Sequence, residues 1–195
     1  MTLTAKALGP MNATKQIGLV LAGTLLLTAA SQISVPFFPV PMTLQTLAVL
    51  FVGFAMGSRL GALTVLAWLG QAALGAPVLS NFGNAAAFAG PTAGFLLGFV
   101  GMAWLAGLAT DRGLTGPVKL SAVALAASAL LYLPGLAWPL GVAQLAGIEA
   151  GWAGLTFDKV VAGFMLPFLL GDAVKAVLAA LIVSGGMRVL SKRDA

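Results

Sequence analysis

Long apolar segments separated by short polar ones dominate the pattern along this 195-residue chain. Apolar segments of about 20 residues are long enough to cross a bilayer as α-helices, so the pattern predicts membrane spans. Six spans are predicted, at residues 17–33, 44–56, 60–74, 92–109, 118–136 and 160–183. The second and third are shorter than the usual span of about 17–25 residues, so we expect their ends to include flanking polar residues or to lie where the bilayer is thin.

Helices are favoured over a β-barrel, because no segment alternates apolar and polar residues as a barrel strand does. Composition agrees with a lipid environment: 60% of the residues are hydrophobic and 8% are charged, whereas soluble domains carry about a quarter charged residues. We therefore expect an all-α polytopic membrane protein with six transmembrane helices in one bundle. The chain is predicted to form a single domain over residues 1–195, with short tails at about 1–16 and 188–195.

Basic residues gather on one side of the six predicted spans. They are Lys6, Lys15, Arg59, Arg112, Lys119, Arg188, Lys192 and Arg193. On the other side, residues 34–43 and 75–91 carry no charge, and residues 137–159 carry Glu149, Asp158 and Lys159. Because short basic loops stay in the cytoplasm, both termini are predicted to be cytoplasmic. This asymmetry also accounts for the net charge of +5, and we expect no nucleic-acid partner.

The first apolar segment has one other interpretation, a cleaved secretory signal peptide. Lys15 precedes the segment, and the small residues Thr28, Ala29 and Ala30 lie near its end. The match to a cleavage site is weak, so we expect a transmembrane helix, and the intact mass of the protein distinguishes the two interpretations.

The residues that the chain lacks narrow the range of functions. It contains no Cys and no His, which excludes thiolate catalysis, imidazole-ligated metals and Ser-His or Cys-His nucleophiles. It has no P-loop motif with which to hydrolyse ATP. Asp172 lies deep in a span and Asp158 near a rim, whereas an aspartyl hydrolase needs two adjacent carboxylates. We therefore expect no enzymatic activity, no cofactor and no metal.

Many of the 25 glycines recur at four-residue intervals, which lets neighbouring helix backbones approach closely. The repeats are Gly53, Gly57 and Gly61; Gly90, Gly94 and Gly98; and the shorter pair Gly18 and Ala22. Packing inside the bundle is the expected role of any one repeat. The alternative applies best to Gly18 and Ala22, which we predict to contact another membrane subunit.

Residues 34–43 hold three prolines, Pro36, Pro39 and Pro41, which favour a stiff, extended backbone. Non-helical backbone near membrane depth is tolerated where it is buried in protein or lines a cavity. We predict that this segment folds over the bundle and brings Thr43 and Gln45 close to a cavity. A merely rigid hairpin is an equally good interpretation.

Residues 75–92 form an uncharged segment that contains two amides and two aromatic rings. Asn81 and Asn84 can each donate and accept hydrogen bonds, and Phe82 and Phe88 offer flat apolar surfaces. Asn also forms ordinary turns, which is the alternative for either residue alone. The combination nevertheless favours a lid that binds a ligand.

Asp172 and Lys175 are the charges placed deepest in a predicted span. Their spacing of three puts both side chains on one face of a helix, and ionisable residues within a membrane face the bundle interior and mark ligand or ion pathways. Pro167, one turn earlier, is expected to bend the helix. A self-satisfied ion pair with no function is the alternative.

Motifs along most of the chain, from about residue 17 to residue 185, resemble those of the BioY family. The segments that carry the resemblance are Val35-Pro36, Pro39-Val40-Pro41-Met42-Thr43-Leu44-Gln45, Gly53…Gly57…Gly61, Gly75-Ala76-Pro77-Val78, Gly90-Pro91-Thr92-Ala93-Gly94-Phe95-Leu96-Leu97-Gly98-Phe99 and Gly171-Asp172-x-x-Lys175. Each motif is weak alone, and the combination is specific. The family comprises the biotin-specific S-components of energy-coupling-factor transporters.

The resemblance implies a high-affinity biotin-binding protein of the bacterial cytoplasmic membrane, working with a coupling transmembrane subunit and two cytoplasmic ATPase subunits. Asp172 and Lys175 could complement the N–H and C=O groups of the ureido ring of biotin. Phe82, Phe88 and Trp138 suit its apolar parts. Its carboxylate is expected to meet neutral donors such as Asn81, Asn84 and Thr43.

A small autonomous carrier or channel is the alternative from a different functional class, with Asp172 and Lys175 acting as a proton relay. The two halves of the chain show no inverted repeat, which weakens this alternative. A pure assembly or scaffold role is the third hypothesis, and the absence of any saturable small ligand would favour it.

Overall fold

The structure, a computed structural model, describes residues 2–193 without the side chain of Arg193. Met1, Asp194 and Ala195, at the ends of the predicted tails, and the predicted basic side chain of Arg193 lie outside this description. The helices are α1 Leu3–Leu8, α2 Ala13–Gln32, α3 Gln45–Met56, α4 Ser58–Ala73, α5 Ala93–Asp111, α6 Pro117–Ala137, α7 Ala143–Leu145, α8 Phe157–Phe164 and α9 Leu169–Arg193. A π-helical turn at Trp138–Val142 joins α6 to α7, and 3₁₀ turns occupy Ser80–Phe82 and Ala85–Ala89.

Four helical stretches of the described chain are long and apolar enough to cross a membrane. They are Ala13–Gln32, Ala93–Asp111, Pro117–Leu145 and Leu169–Lys192. The prediction of mostly helical membrane structure is confirmed at this level. The helices α3 and α4, with 12 and 16 residues, fall below that length, so the count of six spans stays a prediction.

Local chemistry explains where several helices begin. The side chain of Asn12 accepts the Lys15 N–H at 2.9 Å and caps α2. At the start of α4, Oδ2 of Asp111 accepts both the Ser58 N–H, at 2.8 Å, and the Ser58 hydroxyl, at 2.6 Å. This carboxylate satisfies donors that the first turn of a helix leaves free and suits the positive end of the helix dipole. Pro117 lies in the first turn of α6, where its missing N–H does no harm.

The last predicted span, residues 160–183, differs from the structure. It is divided into α8, which ends at Phe164, and α9, which begins at Leu169 and continues to Arg193. Pro167 lies in the interruption. A proline ends a helix because it lacks an N–H and restricts the backbone of the residue before it. The expected bend is therefore a complete break. Arg188 and Lys192, predicted in a tail, lie in the last turns of α9.

Residues 34–43 form a β-hairpin rather than an irregular loop. Strand β1 (Ser34–Val35) pairs antiparallel with β2 (Met42–Thr43), so that Ser34 lies opposite Thr43 and Val35 opposite Met42. The prolines lie in the turn between the strands, where they interrupt no ladder hydrogen bond. The second half of the hairpin, residues 39–43, lines a cavity, as the first interpretation of this segment predicted.

Helix α5 packs against α3, α4 and α6 in the centre of the bundle, around buried side chains such as Trp68, Phe54 and Met102. Glycines permit this close approach: a Cβ added to Gly61 would lie 2.9 Å from Cα of Gly53, and one added to Gly53 would meet the backbone of Ala103. Internal packing is thus confirmed for Gly53 and Gly61. It also holds for Gly94 and Gly98, which face α6.

Candidate functional site

A cavity of about 240 Å³ lies at the end of the bundle where the hairpin and residues 74–92 meet the helices. Its wall combines the second half of the hairpin, the first turn of α3, part of residues 74–92, the start of α5, the second half of α6 and the break between α8 and α9. The lining residues that matter most for chemistry are Thr43, Gln45, Thr46, Ser80, Asn81, Tyr132, Asp172 and Lys175. Apolar side chains supply most of the remaining wall.

The polar centre of the cavity is an ion pair in the first turns of α9. Nζ of Lys175 lies 2.7 Å from Oδ1 of Asp172, and the two side chains are 9% and 10% exposed. Nζ of Lys175 also donates to the backbone carbonyl of Thr43 at 3.0 Å. The spacing of three residues on one helical turn brings the two groups together, as the sequence predicted.

Two hydroxyl groups complete the surroundings of Asp172. Thr46 donates to its Oδ1 at 3.1 Å, and the phenol of Tyr132 donates to its Oδ2 at 2.6 Å. Helices α3, α6 and α9 thus converge on one carboxylate. A buried charge is stable only when it is paired and hydrogen-bonded, and these contacts meet that requirement.

The Asp172–Lys175 pair keeps part of its hydrogen-bonding capacity unused. A carboxylate has about four acceptor positions, of which Lys175, Thr46 and Tyr132 use three; an ammonium has three N–H donors, of which Asp172 and Thr43 use two. One acceptor position, on Oδ2 of Asp172, and one donor, on Nζ of Lys175, therefore remain on groups that line the cavity. Such a pair is complementary to a ligand edge that presents an N–H beside a C=O.

Aromatic rings form the apolar part of the wall. The ring of Phe95 packs edge-on against Tyr132 with 6.0 Å between centroids. Phe168 lies in the wall, and its centroid is 6.0 Å from that of Phe37 outside the wall, in a tilted arrangement. Phe99 and Phe164 also line the cavity and are almost fully buried. The site therefore combines a small polar centre with apolar walls, which is typical of small-molecule sites.

The structure brings five of the sequence-predicted binding residues to the cavity: Asp172, Lys175, Thr43, Gln45 and Asn81. The other three lie elsewhere. Phe82 is 70% exposed, Asn84 accepts the Ala86 N–H at 3.3 Å and caps a 3₁₀ turn, and Phe88 packs against the hydrophobic core. Trp138 is not in the wall either. Its indole N–H donates to the Gly90 carbonyl at 2.9 Å. Ligand contacts by these residues stay predictions.

Sequence reasoning missed Tyr132 and Thr46. Tyr132 is the only tyrosine of the chain, and it lies within an apolar predicted span. A phenol surrounded by lipid or by apolar side chains needs a hydrogen-bond partner, so its isolation was a usable signal. Thr46 gave a weaker signal, since a threonine at the start of a helix has many ordinary roles.

Among the described residues, the charged side chains in the cavity wall are Asp172 and Lys175. Their charges cancel, so the wall is electrically neutral. Within the same residues, no three acidic side chains lie together as a metal site would require. The described wall offers a ligand hydrogen bonds at this ion pair and apolar contact around it.

The predicted partner contact lies on the outer face of α2. Gly18 and Ala22 are both exposed, and a Cβ added to Gly18 would meet no atom within 4 Å. Ile17, Leu21 and Leu25, beside them, are 62%, 55% and 71% exposed. This exposed face of α2 contrasts with Gly53, Gly94 and Gly98, which lie against neighbouring helices.

Comparison with known proteins places the chain among transporter proteins. A model of the BioY family matches residues 3–192. The chain is 41% identical over 157 residues to the biotin transporter BioY of Rhizobium etli, covering 77% of this chain and 79% of the relative. It is 38% identical to the biotin transporter BioY of Rhodobacter capsulatus, covering 74% of this chain and 77% of the relative.

A solved structure shares the fold. Described as the S-component for biotin from an ECF-type ABC transporter, it matches with a TM-score of 0.69 at 22% identity, covering 92% of this chain and 95% of the other. At 22% identity the match shows a shared fold and nothing further.

Proposed function

The chain belongs to the BioY family, and from this premise we propose that it binds biotin with high affinity for uptake across the bacterial cytoplasmic membrane, as the substrate-specific subunit of an ATP-driven vitamin transporter. It is a multi-pass protein of the cell membrane. Relatives named biotin transporters, at 41% and 38% identity, support the ligand. The observation that carries the proposal is the buried Asp172–Lys175 pair in the wall of an otherwise mainly apolar cavity.

The free acceptor of Asp172 and the free donor of Lys175 suit the ureido ring of biotin. One ring N–H donates to the carboxylate, and the ring carbonyl accepts from the ammonium. Phe95, Phe99 and Phe168 supply apolar surface for the thiophane ring and the start of the valeryl chain. In this arrangement Tyr132 and Thr46 hold the carboxylate of Asp172 in place, so the protein is preorganised for its ligand.

The ligand carboxylate points away from Asp172. A second carboxylate beside Asp172 would be repelled at short range, and the neutral wall supplies no additional cation to offset it. Neutral donors of the cavity wall, such as Asn81 and the hydroxyl of Thr43, are its proposed partners. Asn84, Phe82 and Phe88 belong to the same covering segment and would join the site only if that segment moves.

We assign six membrane spans, α2 to α6 and α9, in a single domain over residues 1–195 with both termini in the cytoplasm. The basic residues support this orientation, because Arg59 lies in the first turn of α4, Arg112 directly follows α5 and Lys119 lies in the first turn of α6, all at the end opposite the cavity. The cavity then faces outward. Helix α3 is almost wholly buried in the bundle, so protein rather than lipid surrounds it. Helix α4 exposes Leu63 and Leu66, and we assign it to a place where the bilayer is thin.

Transport requires partners, because the sequence carries no P-loop and hence no means of hydrolysing ATP. The proposed partners are a coupling transmembrane subunit and two cytoplasmic ATPase subunits, in addition to the surrounding bilayer. The exposed Gly18 and Ala22 face of α2 is the proposed contact with the coupling subunit, since small residues allow close helix packing in lipid. No nucleic acid and no cofactor are involved.

Thermal unfolding of the purified chain in detergent tests the proposal. Biotin at about 100 times its Kd should stabilise the folded state by about 2.7 kcal/mol and raise the melting temperature, whereas other vitamins should not. Equal shifts for unrelated vitamins, or none for biotin, would contradict it. Biotin uptake by proteoliposomes containing this chain alone, driven by a pH gradient, would instead indicate the autonomous carrier with a proton relay.

A further inference from the structure

Residues 79–83 form a tight turn over the cavity. The Leu79 N–H donates to the Gly83 carbonyl at 2.9 Å, and the Gly83 N–H donates to the Ser80 carbonyl at 3.0 Å. Between these ends, Asn81 and Phe82 adopt left-handed conformations with φ of +54° and +56°. Two consecutive non-glycine residues of this kind persist only where the surroundings hold them in place.

The side-chain amide of Gln32, the last residue of α2, holds this turn at both ends. Its Nε2 donates to the Leu79 carbonyl at 2.9 Å, and its Oε1 accepts the Phe82 N–H at 3.2 Å. The amide therefore acts on the turn as a peptide group of a neighbouring strand would. Its Nε2 also lies 3.1 Å from the Ser31 hydroxyl, which fixes the position of the amide.

The part of the turn between these two bonds reaches the cavity. Ser80 and Asn81 line the cavity, and the Ser80 hydroxyl is buried without a hydrogen-bond partner among the described residues. Phe82 contributes little packing, because it is 70% exposed, and Leu79 is the buried apolar anchor of the turn. Hydrogen bonds therefore decide where Ser80 and Asn81 lie.

We propose that Gln32 is a positioning residue: its amide holds the 79–83 turn over the bound ligand and so sets how long the ligand stays. This inference rests on the proposed binding of biotin in the cavity. Gln32 itself does not line the cavity, so it acts through the turn. Loss of the two bonds should loosen the exit path and accelerate dissociation, whereas the polar centre at Asp172 and Lys175 keeps its geometry.

The test compares dissociation and association rates of labelled biotin for the full chain in detergent. Gln32→Met keeps the length of the side chain but removes both bonds, and Gln32→Ala serves as a second variant. Gln71→Met is the matched control, because Gln71 is also a half-buried glutamine whose amide faces Thr24 on α2 rather than the turn. The melting temperature without ligand is measured for each protein.

We expect Gln32→Met to increase the dissociation rate about tenfold with an association rate within about threefold of wild type. Its melting temperature without biotin should match that of Gln71→Met. A dissociation rate within about twofold of wild type, or an equal increase for Gln71→Met, overturns the role of Gln32 and leaves the proposed function intact. No binding by the wild-type chain overturns the proposed function and this inference with it.

Discussion

The hydroxyl of Tyr132 donates a hydrogen bond of 2.6 Å to Oδ2 of Asp172, forty residues away in the chain. It links the second half of α6 to the first turns of α9, next to the ion pair with Lys175. Thr46 of α3 contacts the other oxygen of the same carboxylate. Three helices thus share one buried charge.

Tyr132→Phe should weaken biotin binding while the fold persists. The variant removes one hydrogen bond to a charged group, an interaction that contributes about 1.5–3 kcal/mol, so Kd should rise about tenfold or more. Equilibrium binding of labelled biotin measures the change. Thr64→Val, at a buried threonine whose hydroxyl donates to Leu60 far from the cavity, is the control. A Kd of Tyr132→Phe within about threefold of wild type would contradict the preorganising role.

Lys175→Met should destabilise the chain strongly, because it leaves Asp172 as a buried charge without its cation; such losses reach about 3–5 kcal/mol. The double variant Asp172→Asn/Lys175→Met should recover much of that free energy of unfolding, since no unpaired charge remains. Melting temperatures in detergent measure both.

Biotin binding by the same double variant separates a functional pair from a merely structural one. We expect the double variant to fold and to lose detectable binding, because it presents neither the ionised acceptor nor the ammonium donor. Binding at wild-type affinity would show that the pair serves stability alone.

Biotin amide should bind within about threefold of biotin itself. The wall is neutral and the ligand carboxylate is proposed to point toward the rim, so replacing it by a neutral amide removes no ion pair. An analogue methylated on a ureido nitrogen serves as the comparison and should bind far more weakly. Competition against labelled biotin measures both, and a loss of about 100-fold for the amide would place the carboxylate on Lys175.

Gly53→Ala should lower the free energy of unfolding by about 1–3 kcal/mol through overpacking. Its new Cβ would lie 2.9 Å from Cβ of Ala106 and 3.0 Å from Cα of Ala103, on α5. Gly101→Ala is the control, because no atom lies within 4 Å of its added Cβ and alanine favours a helix. Thermal unfolding compares the two, and equal stability would exclude close helix contact at Gly53.

Gly18→Leu combined with Ala22→Leu should leave biotin affinity unchanged and reduce association with the coupling subunit. The new side chains project from the exposed face of α2, away from the cavity, and would keep a partner helix at a distance. Gly101→Leu, on the outer side of α5, is the matched control. Co-purification and biotin uptake by the complex measure the effect, and unimpaired assembly of the α2 variant would exclude this face.

The features that the sequence predicted correctly depend on patterns between residues close together in the chain. Hydropathy is additive along the chain, so residues 92–109 were recognised as the span that the structure places at Ala93–Asp111. The i, i+3 spacing placed Asp172 and Lys175 together for the same reason, since one helical turn determines their distance. Pro167 indicated a bend, whereas the structure has a break, because the packing around a proline decides whether it bends or breaks a helix.

The sequence by itself determined the membrane class of the protein, the close pairing of Asp172 with Lys175 and the absence of Cys and His chemistry, because each follows from residue type and short spacing. Only the tertiary structure decided that Tyr132, Thr46 and Thr43 surround that pair, that Asn81 lines the cavity while Asn84 caps a turn, and that Gly18 lies on the outside. These outcomes depend on contacts between residues up to 132 positions apart, and the packing of whole helices sets such distances.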